Sequence, residues 1–143
     1  MKTRFTDILK VKKQKLSEVE RELLDVQNRK KKLELKIEQV DGDMRTLKTP
    51  KSGDFGTLQM SRHSFISLIQ QKELFIEKLA VRIKQIAGLK ELYKEASIDY
   101  EKIAYLDADE IKKELKRIAE EESKELDEIA NILFVNKREK EEV

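Results

Sequence analysis

Residues 16–47 read LSEVERELLDVQNRKKKLELKIEQVDGDMRTL, and the spacing of their apolar side chains decides the fold. Leu16, Val19, Leu23, Val26, Leu33, Ile37, Val40, Met44 and Leu47 follow one another at alternating steps of three and four, with Lys30 at the one step that breaks the run. A spacing that averages ~3.5 residues keeps one edge of a helix turned to a partner along its whole length, whereas a strand would need alternation by two. Upstream, Phe5, Leu9 and Lys12 extend the stripe. The reading is a heptad helix over about residues 4–47. At ~1.5 Å per residue it would be ~65 Å long. Gly42 stays inside it, at a cost of about 1 kcal/mol relative to alanine.

The main concentration of helix breakers follows, in Thr49-Pro50-Lys51-Ser52-Gly53-Asp54-Phe55-Gly56. Proline cannot donate a helical hydrogen bond and glycine admits positive φ, so a turn is expected over 48–56. Beyond it a second stripe runs through Leu58, Arg62, Phe65, Ile69, Lys72, Ile76, Leu79, Ile83, Ile86, Lys90, Tyr93, Ser97 and Tyr100, giving a second helix over about 57–137. Pairing positions whose numbers sum to 105 or 106 sets Leu47 by Leu58, Val40 by Phe65, Val26 by Leu79, Leu23 by Ile83 and Val19 by Ile86. Each seam lysine then faces a side chain that covers its stem: Lys30 by Ile76, Lys72 by Leu33, Lys90 by Leu16 and Lys12 by Tyr93. The expected fold is all-α, one domain built as a long two-helix antiparallel coiled-coil hairpin, with the second helix extending beyond the first. On the overhang, Ile111, Leu115, Ile118, Leu126, Ile129 and Leu133 form a stripe with no partner in helix one. The alternative is a fold-back at Tyr105–Asp109, where Asp107 and Glu110 resemble a capping box; the continuous helix is favoured.

Composition agrees. Charged residues make up 42% and aromatics 6%, with four glycines and one proline, so the core can be only a narrow seam. The net charge of +2 divides into +5 over residues 1–56 (15 basic, 10 acidic) and −3 over 57–143 (16 basic, 19 acidic). Without cysteine neither a disulfide framework nor a thiolate metal site can form, and a reducing, cytoplasmic setting is expected. No stretch is apolar enough to span a bilayer, so any membrane association is expected to run through partners.

Chemistry is hard to assemble from these residues. His63 is the single histidine, Asp41-Gly42-Asp43 lacks the oxygen ligands that would continue a calcium loop, and no glycine-rich phosphate loop is present. The sequence therefore predicts no catalytic residue, no metal and no cofactor. The basic runs Lys10–Lys15 and Arg29–Lys32 lack interleaved aromatics and are diluted by nearby glutamates, so nucleic acid is not an expected partner.

Four segments carry a resemblance: Phe5-x-x-Ile8-Leu9, Phe65-Ile66-x-Leu68-Ile69-x-x-Lys72, Lys90-Glu91-Leu92-Tyr93 and Ser123-Lys124-Glu125-Leu126-Asp127-Glu128-Ile129-Ala130. Together with the length and the turn position, they make the chain similar to the FliJ family, the small coiled-coil component of the bacterial flagellar type III export apparatus. The Glu122-Ser123-Lys124 stretch departs from the family, where a glutamine-lysine pair is common. The resemblance implies a non-enzymatic, stalk-like protein that resembles the central helices of rotary ATPase γ subunits. It implies binding to a FliI-type export ATPase ring, an FlhA-type export gate protein and export chaperones. The chain would be cytoplasmic and peripherally associated with the inner membrane through that apparatus. An architectural tether or dimeric scaffold unrelated to export is the alternative.

Two surfaces are expected to meet partners. Near the turn, Phe55, Leu58, Met60, Phe65, Ile66, Leu68 and Ile69 supply more apolar groups than a two-helix seam can bury, and Phe65, Ile66, Leu68 and Ile69 are assigned to a gate or chaperone contact. At the open end, Lys10, Lys12, Lys13 and Lys15 point in several directions, as contact with several ring subunits would require. Leu115, Ile118, Leu126 and Ile129 add apolar area there.

Overall fold

The computed structural model describes residues 1–47 and 53–142. It contains two helices, α1 (Thr6–Thr46) and α2 (Phe55–Glu142), of 41 and 88 residues, forming an all-α helical hairpin. Two compact units divide the chain, one made of Met1–Lys13 with Ile98–Val143, the other of Gln14–Ser97. α2 passes without a break through 105–109, so the chain does not fold back there. Gly42 is helical.

The helix ends have local causes. Thr3 accepts from the Phe5 N–H through Oγ1 at 3.1 Å and from the Thr6 N–H through its carbonyl at 3.2 Å, satisfying donors at the start of α1, and the Thr6 hydroxyl oxygen in turn accepts the Thr3 N–H at 2.8 Å. Asp54 does the same for α2: its carboxylate accepts the Thr57 N–H at 2.9 Å and the Thr57 hydroxyl at 2.5 Å. Because Asp54 caps, α2 begins at Phe55 and takes in Phe55 and Gly56 from the expected turn. Residues 48–52 of that turn lie outside the described residues. The far end of α2 also exceeds expectation, reaching Glu142 instead of 137.

In the Gln14–Ser97 unit, α1 keeps the predicted seam: Val19, Val26, Leu33 and Val40 are buried, one per heptad, and Leu16, Leu23, Lys30, Ile37 and Met44 are half-buried. α2 departs from it. Lys72, Leu79 and Ile86 lie in the seam as expected and Ile69 is half-buried beside Leu68, but the alternating positions that follow are Phe75, Arg82 and Leu89, each one residue before the predicted Ile76, Ile83 and Lys90. Leu89 is 9% exposed and Ile83 is 50% exposed. Rotating α2 this way brings Leu89 inside and releases Lys90 to water, while Arg82 takes a half-buried place in the seam and keeps its charged end near solvent. Ile76 and Ile83 are left exposed in return.

The register also differs, by about one heptad. Val26 clusters with Ile86 and Leu89, not with Leu79, and Leu23 packs on the same cluster. Asp41 holds Lys72 at 2.6 Å, and the Lys36 ammonium lies 5.7 Å from the centre of the Phe75 ring. The expected register set Lys72 against Leu33, whereas the observed one gives it a carboxylate. A half-exposed pair of this kind contributes only about 0.5 kcal/mol, but slipping by a heptad would forfeit it together with the packing at Val26.

The Met1–Lys13 and Ile98–Val143 unit is held by polar ties. Lys12 reaches Asp99 at 3.8 Å, not Tyr93 as expected, Arg4 Nε meets Glu110 at 3.1 Å, and the Thr3 hydroxyl donates to Asp107. Asp107 and Glu110, the pair that resembled a capping box, instead receive the start of α1. Past them burial fades: Ile111, Glu114 and Ile118 are half-buried, and residues 119–141 are exposed throughout.

Candidate partner-binding surfaces

The register exposes the first turns of α2. With Asp41 beside Lys72, the last residue of α1, Thr46, stands alongside about residue 67 of α2, so residues 55–66 have no α1 neighbour. Phe55, Leu58, Met60, Phe65 and Ile66 are all exposed. Of the four residues assigned to this surface, Phe65 and Ile66 face solvent, while Leu68 and Ile69 are half-buried and Leu68 belongs to the seam. Phe65 was placed in the seam by the sequence and lies outside it. The Thr57 hydroxyl, and then the Thr57 backbone N–H, hold the Asp54 carboxyl below its ordinary value, so the cap stays charged at neutral pH.

The residues assigned to the open end fall into separate places. Lys10 and Lys13 are exposed on α1 in the first unit, Lys12 is half-buried against Asp99, and Lys15, in the second unit, is exposed. Leu115, Leu126 and Ile129 are exposed, whereas Ile118 is half-buried. Measured along α2 from Asp99, the partner of Lys12, Ile118 is ~28 Å away and Leu126 ~40 Å away at 1.5 Å per residue. Lysines and apolar stripe therefore do not form one patch.

A charged bracket overlaps the near end of the apolar stripe. Arg117 donates to Glu114 at 2.5 and 3.1 Å and to Glu121 at 2.6 Å; these bonds lower the Glu114 carboxyl and raise the Arg117 guanidinium. Sequence reasoning missed the run Ile132-Leu133-Phe134-Val135 as a unit, naming Leu133 alone. All four are exposed, with Phe134 at 64%. Four consecutive apolar residues in a tail otherwise dominated by charge were the available signal.

Residues 1–139 match a family described as flagellar FliJ protein. The chain belongs to the FliJ family. Membership makes it a component of the flagellar export apparatus. No curated protein and no solved structure matches it at a significant level. In this FliJ-family chain the Ser123–Ala130 stretch that carried the resemblance lies wholly on the exposed part of α2. Among the described residues no helix is long and apolar enough to cross a membrane, and no group of His, Cys, Asp and Glu side chains is arranged to hold a metal ion.

Proposed function

We propose that this FliJ-family chain is a stalk-like coiled coil that binds a FliI-type export ATPase ring and couples it to an FlhA-type gate protein and to export chaperones. The family match over residues 1–139 carries the reading. Three separate exposed surfaces support it: the bare first turns of α2, suited to a gate or chaperone, and, apart from each other, the exposed lysines near the start of α1 and the bare end of α2, each suited to the ring. The chain works without cofactor or metal, in the cytoplasm, and reaches the inner membrane only through its partners.

The test is binding to the cognate ATPase and stimulation of its hydrolysis. Reversing Lys10, Lys12, Lys13 and Lys15 to Glu slows association and flattens the salt dependence, because long-range attraction is lost. Changing Leu115, Leu126 and Ile129 to Ser speeds dissociation instead, because apolar contact is lost. If both variants bind and stimulate like the parent, the stalk reading fails.

A further inference from the structure

Different forces hold the two compact units. The buried side chains, Val19, Val26, Leu33, Val40, Ile86 and Leu89, all belong to the Gln14–Ser97 unit. Among the described residues of the other unit none is buried, and its apolar contacts, such as Phe5 and Leu9 on α1 and Tyr100, Ile103 and Ile111 on α2, are half-buried. Charge takes the place of a core there. Residues 1–13 hold Lys2, Arg4, Lys10, Lys12 and Lys13 against Asp7, a net +4, whereas residues 98–111 hold Asp99, Glu101, Asp107, Asp109 and Glu110 against Lys102, a net −4. The Thr3 bond to Asp107 and the ion pairs Arg4 with Glu110 and Lys12 with Asp99 join the two stretches. Closure also carries a penalty. The second Glu110 oxygen, Oε2, is shut away from water with no hydrogen-bond partner among the described residues.

We infer that residues 1–13 are a strap that lifts from α2 as one block while the Gln14–Ser97 hairpin stays shut, and that ionic strength sets how often it lifts. Attraction between the two stretches is screened as salt shortens the Debye length from ~10 Å at 0.1 M to ~3 Å at 1 M. The apolar seam of the hairpin has no such dependence. Simple fraying of a chain end is a different event. The bonds that Thr3 makes to Phe5 and Thr6 lie wholly within the start of α1 and hold its first turn locally, so the weak point is the contact with α2. Lifting removes the Arg4 and Lys12 ties together with the half-buried contacts between them, and recovers the hydration of Glu110. It bares Tyr100, Ile103 and Ile111 in line with Ile118, lengthening the free face of α2 by ~27 Å at 1.5 Å per residue. The strap follows from the ties on its own residues and stands whether or not the export reading does.

The experiment follows amide exchange of the full chain, corrected for intrinsic rates, between about 0.05 M and about 1 M sodium chloride. Protection over residues 6–13 should fall together by on the order of tenfold, the combined weight of a few exposed polar ties, while protection over 19–40 holds. A second arm tests the contact directly. At low salt R4E and E110R should each lower protection over 6–13, and R4E/E110R should regain most of it, which damage to either helix alone could not produce. Protection over 6–13 that ignores salt would overturn the inference. So would protection that rises residue by residue from Thr6 to Val19, the mark of fraying, or a double variant no better protected than the single ones.

Discussion

Asp54 is one carboxylate at the mouth of an 88-residue helix, and its bonds to Thr57 are why α2 starts where it does. D54A should fray the first turn of α2 and speed amide exchange at Gly56 and Thr57, leaving exchange near Val26 unchanged; equal rates in variant and parent would remove the cap from the account. The pH dependence has a definite sign. The folded carboxyl lies below its ordinary 3.8, so the cap's contribution is complete above that value and is lost only as pH falls below it, through the lowered value. Amide exchange at Gly56 and Thr57, corrected for intrinsic rates, should therefore stay flat down to about 3.8 and lose protection below. Single residues were also where the sequence misled. In α2 Leu68 precedes Ile69 and Phe75 precedes Ile76, so apolar spacing fits two adjacent stripes equally well. Two other adjacent pairs pull in opposite directions: Arg82 before Ile83 favours the predicted stripe, whereas Leu89 before Lys90 favours the observed one.

The choice between stripes is testable on the elements themselves. L89A should lower stability by about 2 kcal/mol, as removal of a buried leucine does, whereas I83A should cost well under 1 kcal/mol; chemical denaturation of both variants would show the reverse order if the predicted stripe were the true seam. Register has its own check. V26C/I86C should close a disulfide within one chain under mild oxidation, and V26C/L79C should not, because a heptad of displacement puts the second pair beyond the reach of a disulfide. The stripe on α1 was fully legible in the sequence, since its seam positions are apolar apart from two lysines and no second stripe competes. Register was not legible, because counting heptads leaves shifts by seven equivalent, and what separates them is which lysine finds which aspartate across the pair, as Lys72 finds Asp41.

For the whole molecule, the exposed start of α2 predicts that F65S/I66S weakens binding to the gate protein or chaperones while helicity and melting hold. Parental affinity in that variant would assign the pair to ordinary surface. The existence of this surface was legible from the surplus of apolar residues near the turn. Its membership was not, since Leu68 turns inward only after the phase of α2 is known. The bare end of α2 has a further consequence, for how long the protein lasts. A helix of some two dozen residues with no packing opens at little cost, and cleavage of an opened segment follows the population that is open. A protease should therefore trim the free chain back toward Ile118 well before it touches the paired helices, and any molecule seated on the tail should slow that trimming. Abundance of the intact chain in the cell would then follow the supply of whatever occupies its end, with the unoccupied surplus removed by degradation.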